Sequence, residues 1–163
     1  MTRELLILSV LLASVLTIGC SDFAGNSSTP PDVVDIESDA PDMLAAIKTA
    51  QKTMSFFEQN WRTMDNDGAS LKFALPTPDG GREHIWFMPT KILSDKITGK
   101  CSNVPVGIPG LNIGDVRTVS RDDISDWMIV VGDKCYGGYT IRVMAEREPD
   151  VALPFEFMDL PAN

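Results

Sequence analysis

The run Asp39-Ala40-Pro41-Asp42, followed by Met43, Ile47, Ala50, Met54, Phe57, Trp61 and Met64, sets the architecture. An acidic cap, an early proline and a second acid in the first turn are helix start signals. The apolar residues then recur at intervals of 4, 3, 4, 3, 4 and 3. That spacing predicts one face of a helix about 24 residues long. Lys48, Lys52, Glu58, Gln59 and Arg62 point away from it. Asp65-Asn66-Asp67-Gly68 ends it, with Gly68 as the left-handed terminal residue. The stripe reads as the seam that seats the helix on the domain's own sheet; a partner-binding or coiled-coil face is the alternative.

Downstream the period shortens to two. Leu71–Leu75 and His84–Met88 alternate across the turn chemistry of Pro76-Thr77-Pro78-Asp79-Gly80-Gly81 and predict a hairpin. Residues 94–114 are rich in Gly and Pro and read as a loop. Val116–Val119 is a short strand, Ser120–Ile124 a helical turn or tight connection, Trp127–Val131 an apolar strand, Gly132-Asp133-Lys134 a turn, and Tyr139–Val143 the last strand. Gly137-Gly138 allows a bulge or a close backbone approach. Residues 146–163 form an acidic, Pro-containing tail that packs by Phe155 and Phe157. The expected domain, residues 41–145, is therefore α+β: one long N-terminal helix packed on a curved antiparallel sheet of about five strands, open or closed into a small barrel.

Upstream, Arg3 precedes an uncharged stretch, Leu5 to Ile18, too short to span a bilayer and of signal-peptide length. Leu16-Thr17-Ile18-Gly19-Cys20 resembles the lipobox of bacterial lipoproteins. This predicts a signal peptide over 1–19 and lipid attachment at Cys20; a non-cleaved anchor helix and an ordinary cleaved signal are the alternatives. Residues 20–40 read as an acidic flexible tether. Ser21, rather than Asp, after the cysteine points to the outer membrane facing the periplasm in a Gram-negative host. The expected location is the cell envelope, with the lipid on Cys20 as the contact with membrane.

Fourteen Lys+Arg against 23 Asp+Glu give a net charge of −9, and no basic run exceeds one residue, so no nucleic-acid partner is expected. Besides Cys20, Cys101 and Cys135 form an even pair in an exported chain, which predicts a disulfide. Closing that loop of about 35 residues would contribute roughly 3–4 kcal/mol on the chain-entropy model. The alternative is two buried free thiols. His84 is the single histidine, and no nucleophile elbow, phosphate loop or dinucleotide fingerprint occurs. Asp122, Asp123 and Asp126 are spaced to cap a turn or pair with Arg121 as much as to hold a cation. No metal, cofactor or catalytic set is expected.

Glu83-His84-Ile85-Trp86, Gly99 with Asn103 and Pro105, Gly114-Asp115, Ile124–Met128 and Gly137–Arg142 occur in this order. Through these runs residues 43–144 resemble a bacterial family known only as domain of unknown function 2314. The resemblance implies kinship and a fold; the family has no established activity, so no catalytic residue follows from it. The lipobox, Cys101, Cys135 and an insert at Val106–Pro109 depart from the family pattern.

Asp126, Trp127, Tyr139, Thr140 and Arg142 combine an acid, two aromatic residues and an arginine on two strands expected to pair, the composition of a recognition surface. The alternative is that Trp127 packs in the core and Asp126 caps a turn. The leading reading is a non-enzymatic envelope lipoprotein that presents this surface to a protein or cell-wall partner. Alternatives are a cell-wall or other hydrolase using His84 with an acidic residue, an immunity-type inhibitor whose acidic surface blocks a basic toxin, and an envelope structural protein without a specific ligand.

Overall fold

The computed structural model describes residues 40–161. The expected signal peptide, Cys20 and the tether up to Asp39 lie outside the described residues. The described part is α+β, with three α-helices and one seven-stranded open sheet.

The apolar stripe forms two helices: α1, Pro41–Lys52, and α2, Met54–Asn60. The buried residues of these helices are Met43, Ala46, Ala50, Met54 and Phe57, while Ile47 of the stripe is half-buried. The expected single long helix is interrupted at Thr53, which adopts φ −97° and ψ 5°. The cause is a side chain inserted into the helical ladder. The indole N–H of Trp127 donates to the Ala50 carbonyl at 3.0 Å and to Thr53 Oγ1 at 3.1 Å. In an unbroken helix the Ala50 carbonyl would accept from residue 54.

The sheet consists of β1 (Gly68–Pro76), β2 (Arg82–Ile92), β3 (Lys96–Cys101), β4 (Val116–Ser120), β5 (Ile124–Val131), β6 (Lys134–Gly137) and β7 (Glu156–Met158), in the order β4-β3-β2-β1-β5-β6-β7. Every pairing is antiparallel except β6 with β7. The expected β1–β2 hairpin is present, as are β4, β5 and a 3-10 turn at Arg121–Asp123. Seven strands replace the expected five. Part of the expected loop is β3, whose Ile97, Gly99 and Cys101 face inward. Gly99 is needed there because a Cβ would lie 2.8 Å from the Met88 carbonyl oxygen. The expected tail contributes β7, and the Phe157 ring packs on Gly138.

The expected last strand at Tyr139–Val143 is instead α3, Tyr139–Arg147. Gly137 and Gly138 turn the chain with φ of 78° and 63°. A Cβ on Gly137 would overlap the Trp127 carbonyl oxygen and indole ring.

One face of the sheet is covered. Ala50, Met54 and Phe57 pack there with Leu71, Phe73, Ile85, Phe87, Ile97, Trp127 and Ile129, and Leu111 reaches in from the β3–β4 connection. Each fully buried large side chain contributes about 1.5–3 kcal/mol.

Candidate functional site

The expected recognition residues lie largely in the interior. Asp126, Trp127 and Thr140 are buried, and Tyr139 is half-buried with its ring edge-on to Trp127. They are not a docking surface, because Asp126 is spent on α3. Its Oδ1 accepts from the N–H of Trp127 (2.8 Å) and of Tyr139 (3.1 Å). Its Oδ2 accepts from the Thr140 N–H (2.8 Å) and hydroxyl (2.6 Å). A carboxylate at a helix N-terminus satisfies orphan donors and meets the positive end of the dipole. Burial pushes the Asp126 carboxyl up, and the Thr140 and Trp127 hydrogen bonds oppose it. Arg142 is likewise structural. Its guanidinium donates to the Gly137 and Met158 carbonyls and stacks over the Tyr139 and Phe157 rings, tying α3 to β6 and β7.

Lys72, opposite Asp126 across the β1–β5 ladder, donates to Thr140 Oγ1 at 3.1 Å and lies 5.3 Å from the Trp86 ring centre. Burial holds its ammonium below the ordinary lysine value, opposed by the Asp126 charge. Between Ile124 and Asp126 the ladder shifts by one residue, leaving Ser125 as the bulged one. Ser125 Oγ meets His84 Nδ1 at 2.8 Å and donates to the Lys72 carbonyl at 3.3 Å. Burial and the neighbouring cations Lys72 and Arg82 lower His84 to about 4. The histidine therefore stands neutral beside a hydroxyl that is itself buried, with cations and no carboxylate as its nearest charges. Asp123 pairs with Arg82 and Arg121 with Glu58. Among the described residues no three His, Cys, Asp or Glu converge as a metal site.

Cys101 and Cys135 are free and buried, and the expected disulfide is not formed. They sit on β3 and β6, with β2, β1 and β5 between them. Strands are ~4.8 Å apart, whereas a bridge requires Cα atoms within about 7 Å. Burial pushes both thiols up, Cys135 to about 11.

The open chemistry lies on the other face of β2–β4, beyond the part of β1 that α3 covers. There the register aligns Lys72 with Trp86, Met88 with Lys100 and Val116, and Lys91 with Thr98 and Thr118. Lys96 and Ser120 complete the rows. Met88, Lys91, Lys96, Lys100, Val116 and Thr118 are exposed, and Trp86 is half-buried. No Asp or Glu occupies an outward position of β2, β3 or β4 apart from Asp123's contact at the Arg82 end. Lys91, Lys96 and Lys100 make no ion pair among the described residues. This surface escapes a sequence reading that treats 94–114 as loop. The signal was the alternation of Lys96, Thr98 and Lys100 with Ile97, Gly99 and Cys101.

Residues 40–150 match a family described as an uncharacterized protein conserved in bacteria, DUF2314. The chain belongs to this family. It is 34% identical to the uncharacterized protein YegJ of Escherichia coli (strain K12) over 142 residues, 86% of each chain. It is 37% identical over 108 residues to a putative ankyrin repeat protein, NMB1133/NMB1171, of Neisseria meningitidis serogroup B, covering 61% of this chain and 43% of that protein. No solved structure matches. Two residues that carry the DUF2314 resemblance, Glu83 and Asn103, frame the open face. Glu83 accepts from the N–H groups of Val106 (2.7 Å) and Gly107 (2.8 Å), and Asn103 Oδ1 accepts from the Trp86 N–H at 2.7 Å. Together they pin the loop after β3 alongside β2.

Proposed function

We propose that this chain is a bacterial envelope lipoprotein, anchored through a lipid on Cys20, that presents a small non-enzymatic binding domain to a protein partner. In a host with two membranes its place is the outer membrane, facing the periplasm. The observation that carries the binding role is the uncovered face of β2–β4, where Trp86, Met88 and Val116 lie among exposed lysines. Trp and Met are enriched at interface cores. The His84 surroundings disfavour the hydrolase alternative. A nucleophile must be reachable by substrate and its base oriented, but Ser125 is 2% exposed and both Asp126 oxygens are occupied by α3. An immunity-type role through an acidic surface is disfavoured too, because the uncovered face is basic.

Two measurements test this reading. Labelling cells with radioactive palmitate should mark the chain, and Cys20→Ala should abolish the label. A photo-crosslinking amino acid at position 88 should give a discrete adduct in cells, and the same group at exposed Leu44, over the helices, should not. Absence of any adduct at position 88 would refute the binding role; persistence of the palmitate label in Cys20→Ala would refute the anchor.

A further inference from the structure

We infer that the occupant of this face is an extended, acidic protein segment lying across β2, β3 and β4. The inference rests on the binding-module reading above and names the partner's chemistry. Residues 40–161 hold 13 Lys+Arg and 17 Asp+Glu, so the domain is acidic overall. Yet the outward positions of β2, β3 and β4, from His84 to Ser120, include no carboxylate. The three exposed lysines keep their charges unpaired among the described residues.

Size and charge separate this occupant from others. Lys96 and Lys100 are four residues apart on one strand, about 13 Å, and β2 to β4 spans about 10 Å. That area seats one extended segment of about four or five residues, whose alternate side chains, ~7 Å apart, meet the row Lys96, Thr98 and Lys100. A lipid surface is broader than the patch and also faces the surrounding acids. Asp95 and Asp115 flank it in sequence, next to Lys96 and Val116, and Asp123 pairs with Arg82 at the end of β2; over the ~8 Å Debye length at physiological salt such acids repel a broad anionic surface. A narrow acidic segment is exposed mainly to the lysines. Thr98 and Thr118, hydrogen-bonded to each other at 2.8 Å, sit centrally with hydroxyls able to serve a backbone or carboxylate. Met88 at 47% exposure and Val116 at 59% supply apolar contact beside Lys100.

The test titrates the detergent-solubilised full chain with a fluorescent decapeptide of alternating Glu and Thr. A Lys–Thr decapeptide is the control, and soluble dihexanoyl-phosphatidylglycerol is the competitor. The expected result is saturable binding of the acidic peptide alone, weakened by salt and by roughly tenfold or more in Lys91→Glu/Lys96→Glu/Lys100→Glu. The corresponding Lys→Gln set should weaken it less, and both sets should leave the urea midpoint near that of the parent, since these side chains are exposed. Equal binding by parent and charge-reversed chains, no binding at all, or displacement by the lipid at its competing concentration would each overturn the acidic-segment assignment. An adduct at position 88 together with any of those results would leave the docking face standing and refute only its acidic occupant.

Discussion

Asp126 shows how one side chain decides an element. Four donors converge on its two oxygens, two of them the first N–H groups of α3. Asp126→Asn retains one acceptor but sets an amide NH2 against the Thr140 donors. We expect it to cost about 2–4 kcal/mol, the range for breaking a buried hydrogen-bonded charge, read as a lower urea midpoint with loss of helical signal. His84 supplies a pH dependence. Its folded value, about 4, lies below the unfolded ~6.5, so protons bind the unfolded chain more readily. Its contribution to stability is present above pH ~6.5 and is lost as pH falls toward 4. After discounting for partial solvent screening, the loss is about 1–2 kcal/mol. His84→Gln should flatten that segment of the stability profile; an unchanged slope would assign the acid sensitivity to other groups.

Elements differ in how far they can be read from sequence. The face of α1 and α2 is legible because helical burial repeats every 3.6 residues, and Met43, Ala50, Met54 and Phe57 are all buried. The break at Thr53 is not, because its cause, Trp127, lies 74 residues away. Trp127→Phe removes the donor from the Ala50 carbonyl and should destabilise the fold by about 1–3 kcal/mol, measured by urea unfolding. The helix α3 was masked by Tyr139-Thr140-Ile141-Arg142-Val143, rich in β-branched and aromatic residues. Tertiary capping by Asp126 overrides that propensity. Gly137→Ala, at a positive φ and against the Trp127 carbonyl, should cost about 3 kcal/mol or more and should separate β6 from α3, visible as lost amide protection in both.

For the whole molecule, net charge conceals an arrangement. The sum of −9 argues against any anionic partner, yet residues 20–39 alone hold five acids and no base, and the uncovered sheet face gathers lysines from β2 and β3. Summed charge is blind to that separation, and so was a surface inferred from Asp126, Trp127 and Thr140, which share composition with hot spots but not exposure. Family membership and the α+β class were readable from short motifs and periodicity. The location of the exposed chemistry required the register of β3 against β2 and β4. The most direct test of that surface is lysine footprinting, with brief acetylation of intact cells compared with the purified full chain. Protection of Lys91, Lys96 and Lys100 in cells, with the exposed Lys48, Lys52 and Lys134 labelled equally in both, is the predicted result; equal labelling of all six would contradict it.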